Sequence, residues 1–173
     1  MTVERVKFAF VALFFAVLAL VGLSAGADYG LPCDEPTEQI ILQENMLEYA
    51  LRLFGEDSAP AQWYLSRGIT PISQSIERDH GQCAYYPAAA LLPLQEEAPD
   101  RVMVLWHAYT WLWFMLGVAA VYGFCREAKL SRPVSCGGML LLYLCPRFFA
   151  EGHYNSKDMV LLTLFLCTLW LGL

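Results

Sequence analysis

Residues 102–125 contain no Asp, Glu, Lys or Arg. A helix that crosses a bilayer needs roughly 20 consecutive, mostly apolar residues, so this run alone excludes most soluble folds. Residues 8–23, 134–146 and 159–173 are likewise free of charge. The chain is 57% hydrophobic and only 16% charged, and the apolar residues are bunched rather than spread as in a soluble domain. The expected fold is all-α, with polytopic membrane helices in a single transmembrane domain over 1–173. The spans are expected at about 8–24, 102–124, 134–149 and 159–173. The closing stretch is short for a span and ends without a polar flank, so the sequence reads as the N-terminal part of a longer protein.

Charge orders these spans. Arg5 and Lys7 precede the first, which places the N-terminus in the cytoplasm by the excess of cations on that side. Residues 24–100 hold many carboxylates against only Arg52, Arg67 and Arg78, as expected of an outer loop over 25–101. Arg126, Lys129 and Arg132 fall in the short segment 125–133, which reads as cytoplasmic. Residues 150–158 then return to the outside. The short loops favour a bacterial inner membrane. A rival reading of the first run is a secretory signal ending at Ala25-Gly26-Ala27; either reading sends the next segment across the membrane.

The outer loop is too long for a simple connector and is expected to carry its own amphipathic surface helices. Asp34 can cap a helix, Pro36 fits an early helical position, and Gly55 fits the stop. Ile40, Leu47, Leu51 and Phe54 recur near helical spacing, while Glu44, Glu48 and Arg52 lie four apart on another face. A second helix is expected near 61–67. Pro71, Gly81, Pro87 and Pro93 then break the chain.

Two clusters bear chemistry. Asp34 and Glu35 stand side by side just past the first span, where a carboxylate can deprotonate a nucleophile next to a lipid-borne substrate. Asp34 reads equally as a helix cap, and a carboxylate at a helix N-terminus stays ionised more readily. Glu35 precedes Pro36 and is biased toward an extended backbone. The second cluster holds Arg147, Glu151, His153, Lys157 and Asp158. Arg147 and Lys157 lie on the side that disfavours cations, so they are candidates for holding an anionic headgroup. Arg147 could instead pair with Glu151 one turn on. Asp79 and His80 are minor candidates. His107, inside a span, fits a bond to a neighbouring helix or backbone carbonyl. Cys33 and Cys83 are the two outer cysteines and could pair in an oxidising compartment.

The sequence has no phosphate-cradling Gly-rich loop, no CxxC zinc spacing, no GxSxG elbow and no basic stripe for nucleic acid. A lipid-linked donor avoids the need for a nucleotide-binding domain.

In layout, and in "DYGLPCDEPTEQ" and "CPRFFAEGHYNSKD", the chain resembles the N-terminal part of GT-C type integral membrane glycosyltransferases. That superfamily includes protein O-mannosyltransferases and aminoarabinose transferases. The resemblance implies inverting transfer of a sugar from a polyprenyl-phosphate donor to a lipid, protein or glycan acceptor. It implies Asp34 as the base on the acceptor and Glu35 as the residue that orients the acceptor or tunes the base. It places Arg147, His153 and Lys157 near the donor phosphate. Some members use a divalent metal, for which Asp34, Glu35 and His153 could supply ligands, but no spacing here establishes a site. Members are longer, so residues 1–173 alone are expected to be inactive. The rival functions are a non-catalytic accessory subunit that binds a partner through the acidic outer loop, and a transporter fragment.

Overall fold

A computed structural model describes residues 3–173. Among them every regular element is a helix. The chain divides into two compact units, one formed by residues 1–30 with 103–173 and the other by residues 31–102. The second unit covers nearly all of the segment 25–101 that the sequence sets apart between the first two apolar runs.

The first unit opens with α1 (Val3–Ala25), which tightens into a 3₁₀ turn at Gly26–Asp28. Within its stretch Glu4–Asp28 the most apolar window has a mean hydropathy of 2.6, yet only 11% of that window is buried. Phe8, at 71% exposure, and Phe10, Leu13 and Leu20 point outward. Such a surface is stable against hydrocarbon and costly against water. The other helix long and apolar enough to cross a membrane is α4 (Pro99–Glu127).

The sequence suggests two further spans, over 134–149 and 159–173. The first of these stretches holds a 66° bend between α5 (Arg132–Tyr143) and α6 (Pro146–Tyr154). Pro146 explains the break. It offers no N–H to continue the ladder, and it drives the preceding Cys145 to an extended ψ of 114°. The last helix, α7 (Ser156–Leu171), has 16 residues. At ~1.5 Å per residue it reaches about 24 Å, short of the roughly 30 Å hydrocarbon core.

Close helix approach in this unit relies on glycine. A methyl group at Gly22 would lie 1.8 Å from the Trp111 ring, and one at Gly123 would lie 2.2 Å from Trp170. Without a hydrophobic drive inside lipid, such close packing and interhelical hydrogen bonds hold helices together. Leu18, Trp111, Phe114, Met115, Val118 and Tyr143 form the centre. Arg132 of α5 pairs with Glu4 at 2.7 Å, while His107 of α4 meets the Gly26 carbonyl at 3.4 Å. The start of α1 therefore lies beside the end of α4, and the two helices run antiparallel.

The second unit is built on α2 (Glu35–Phe54). Pro36 fits its first turn, and Gly55, at φ 84°, ends it in a backbone region that favours glycine. Helix α3 (Ala59–Leu65) is capped by the Ser58 hydroxyl, which accepts from Ala61 N. Two 3₁₀ segments follow, Ile72–Gln74 and Cys83–Leu94; Pro87 and Pro93 keep the second from becoming an α-helix. Leu47, Ala50 and Ala61 form a small core with Leu51, Tyr64, Leu65 and Ile69 around them. The buried side of α2 differs from the expected one: Ile41 and Leu42 are inside, and Ile40 and Phe54 are exposed.

Candidate functional site

The N-terminal turn of α2 presents two carboxylates in different settings. Asp34 occupies the cap position with helical dihedrals (φ −87°, ψ −22°), and its side chain makes no capping bond. A cap residue that accepts from the first turn has an extended backbone, so the capping alternative is not realised. Asp34 is exposed, and its Oδ1 accepts from the Cys33 thiol at 3.4 Å. Glu35, expected to be extended before Pro36, is instead the first helical residue and is buried. Its Oε1 accepts from Gln39 Nε2 at 3.0 Å.

Glu35 starts a polar seam along the buried face of α2. Gln95 donates to Gln39, which donates to Glu35, and Gln82 donates to Glu38. Glu44, expected on a different face from the apolar residues, is also buried and accepts from Thr70 at 3.5 Å. Its other oxygen, Oε2, is buried without a hydrogen-bond partner among the described residues. Asn45 Oδ1 accepts from the Tyr86 hydroxyl at 3.4 Å, and burial together with the neighbouring Tyr49 pushes that phenol up to about 12. Sequence reasoning missed this seam. Its one sign was the recurrence of Glu35, Glu38, Gln39 and Asn45 at steps of three, four and seven residues, which puts them on one helix face.

The remaining candidates of this unit stand apart from the seam. Asp79 and His80 are exposed, and His80 pairs with Glu77 of its own turn. Cys33 and Cys83 are both free, exposed thiols.

In the first unit the second predicted cluster separates into distinct roles. Arg147 is 77% exposed and pairs with Glu151 at 2.8 Å, the local pairing foreseen as one alternative. Lys157 and Asp158 are exposed in the first turn of α7. Asp158 completes a reciprocal cap: Asn155 Oδ1 accepts from its backbone N–H, and Asn155 Nδ2 donates to its carboxylate, both at 3.0 Å.

His153 departs from its expected place near a phosphate. It is fully buried, with Nδ1 2.8 Å from the Phe149 carbonyl and Nε2 2.9 Å from the Gly22 carbonyl. Its ring lies between Tyr29 and Trp111, with both centroids 4.4 Å away. A neutral imidazole has one N–H and satisfies one of these carbonyls at a time; an imidazolium satisfies both. Trp111 Nε1 donates to the Ala19 carbonyl at 3.0 Å, and the Tyr143 hydroxyl donates to the Leu18 carbonyl at 2.9 Å. These rings clasp the C-terminal half of α1, and His153 is a member of that clasp.

Among the described residues no group of three or more His, Cys, Asp or Glu is placed to hold a metal ion. No chemistry is derived through a divalent metal. Comparison with family models, curated proteins and solved structures finds no match to this chain.

Proposed function

We propose that this protein is a GT-C type glycosyltransferase of a bacterial inner membrane, a multi-pass protein with its N-terminus in the cytoplasm. It moves a sugar from a polyprenyl-phosphate donor to a lipid, protein or glycan acceptor at the outer face. The observation that carries this reading is the contrast between Asp34 and Glu35. Asp34 is exposed and released from capping, and its side chain accepts from the Cys33 thiol. Glu35 behind it is buried and fixed by Gln39.

In the proposed reaction Asp34 takes the proton of the acceptor hydroxyl or amine as that atom attacks the anomeric carbon. The carbon–oxygen bond to the donor phosphate breaks with inversion, and the phosphate leaves with the electron pair. A positioned base contributes about 10²–10⁴ in rate. Arg147 and Lys157, both exposed, are the cations assigned to the leaving phosphate. His153, also expected near that phosphate, is buried in the first unit and is given no step here.

The reading is tested with Asp34→Asn at the chromosomal locus, followed by transfer of labelled sugar from a polyprenyl-phosphate donor in isolated membranes. Normal protein level with transfer lost supports it. Undiminished transfer refutes it.

A second reading, a non-catalytic accessory subunit, rests on a separate observation. Leu53 and Phe54 at the end of α2, and Ile76 at 95% exposure, leave apolar surface open on the second unit. Exposed large apolar side chains such as the adjacent Leu53 and Phe54 are where partner proteins can bind. Under this reading Leu53→Asp with Phe54→Asp releases a co-purifying protein, and Asp34→Asn changes nothing.

A further inference from the structure

The first unit carries a second polar feature at the end of the helices remote from the aromatic clasp. Lys7 near the start of α1, Arg126 near the end of α4 and Arg132 at the start of α5 line one open groove of about 510 Å³. Ser131 adds a hydroxyl, and Val11 and Cys136 form an apolar wall. Glu4 bridges two of the cations, through Oε1 to Lys7 at 3.2 Å and Oε2 to Arg132 at 2.7 Å. Arg126 donates through one nitrogen to the Leu130 carbonyl, which fixes its guanidinium while leaving its other nitrogens to donate elsewhere. Three cations against one carboxylate leave the groove with an excess of positive charge.

We propose that this groove binds the phosphate of an anionic membrane phospholipid. Guanidinium forks match phosphate oxygens geometrically, and an ammonium adds a point charge. The wall argues for a lipid rather than a free anion. Val11 lies one turn from Phe8, whose ring is 71% exposed, so an acyl chain can lie along that face while its headgroup meets the cations. Glu4 sets the spacing of Lys7 and Arg132 and caps the charge on one side.

The test is native mass spectrometry of the full chain in detergent with equal palmitoyl-oleoyl phosphatidylglycerol and phosphatidylcholine. Phosphatidylglycerol should be retained in preference. Arg126→Gln with Arg132→Gln should lower its retention about tenfold, the scale of lost charge-assisted hydrogen bonds. Lys7→Gln, which leaves both arginines and the α5 start intact, should lower it by a smaller factor. Glu4→Gln should keep or raise it, and Arg52→Gln on the other unit should leave it unchanged. Equal retention of the two lipids overturns the proposal, as does a preference that survives loss of both arginines. Displacement by glycerol phosphate, the headgroup without chains, at comparable concentration overturns the lipid assignment.

Discussion

The imidazole of His153 stacks on the Trp111 indole at 4.4 Å and 19° between planes, while its Nε2 lies 2.9 Å from the Gly22 carbonyl. One side chain of α6 thereby touches both candidate membrane-crossing helices. His153→Ala should remove the stacking and leave a void against Trp111. The expected cost is about 3 kcal/mol, read as a lower melting temperature in detergent. A melting temperature equal to that of the unaltered protein contradicts this role.

Gly22 is the other half of that contact. A methyl group there meets Trp111 Cζ2 at 1.8 Å, and neither a packed indole nor a helix backbone yields that far without cost. Gly22→Ala should destabilise the first unit by roughly 2 kcal/mol or more. Gly30, with nothing within 4 Å of such a methyl group, is the matched control. Equal melting of the Gly22→Ala and Gly30→Ala variants contradicts the close approach.

Asp34 and Glu35 should separate by kind of effect. Asp34→Asn, at an exposed position, should leave stability within about 0.5 kcal/mol and reduce sugar transfer by at least about 100-fold. Glu35→Ala removes a buried acceptor and should cost about 1–3 kcal/mol, whereas Glu35→Gln keeps the shape and should cost less. Melting and transfer measured on the same preparations distinguish the two. A stability loss in Asp34→Asn comparable to that in Glu35→Ala contradicts the division.

Glu48 makes the second unit sensitive to acid. The Ser73 hydroxyl, donating at 2.7 Å, and then the Arg52 guanidinium hold its carboxyl below the ordinary 4.5. A carboxyl lowered by folding stabilises the fold fully above the unfolded value and loses that contribution as pH falls through the folded one. Protection of the α2 amides against hydrogen exchange should therefore decline in the acid range below 4.5. In Glu48→Gln that decline should be shallower; an unchanged profile excludes Glu48 as its source.

What the sequence revealed follows the range of the forces involved. Pro36 and Gly55 set the limits of α2 through their own backbone chemistry and were legible. Pro146 was equally visible, but the apolar run around it masked the bend that it imposes. The seam was not legible, because its amides come from far along the chain. Gln82 lies 44 residues from Glu38, and Gln95 lies 56 from Gln39. Likewise nothing near His153 in sequence announces that its ring enters a slot between Tyr29 and Trp111, one from before α2 and the other from α4. Short-range chemistry fixed helix ends, whereas the placement of ionisable groups depended on tertiary partners.

The antiparallel pairing of α1 and α4 has a consequence for residues 31–102. That segment leaves the first unit after Gly30 and re-enters it at Met103, and the clasp around Gly22, together with His107 on Gly26, already holds those two ends of α1 and α4 near each other. The segment is therefore a cassette hung between anchored points. Closing a loop between such points becomes only about 0.6 kcal/mol harder for each doubling of its length. Residues 31–102 can be lengthened, shortened or exchanged at little cost to the helices that carry them, so this segment can change in sequence and size while the helices of the first unit keep their packing.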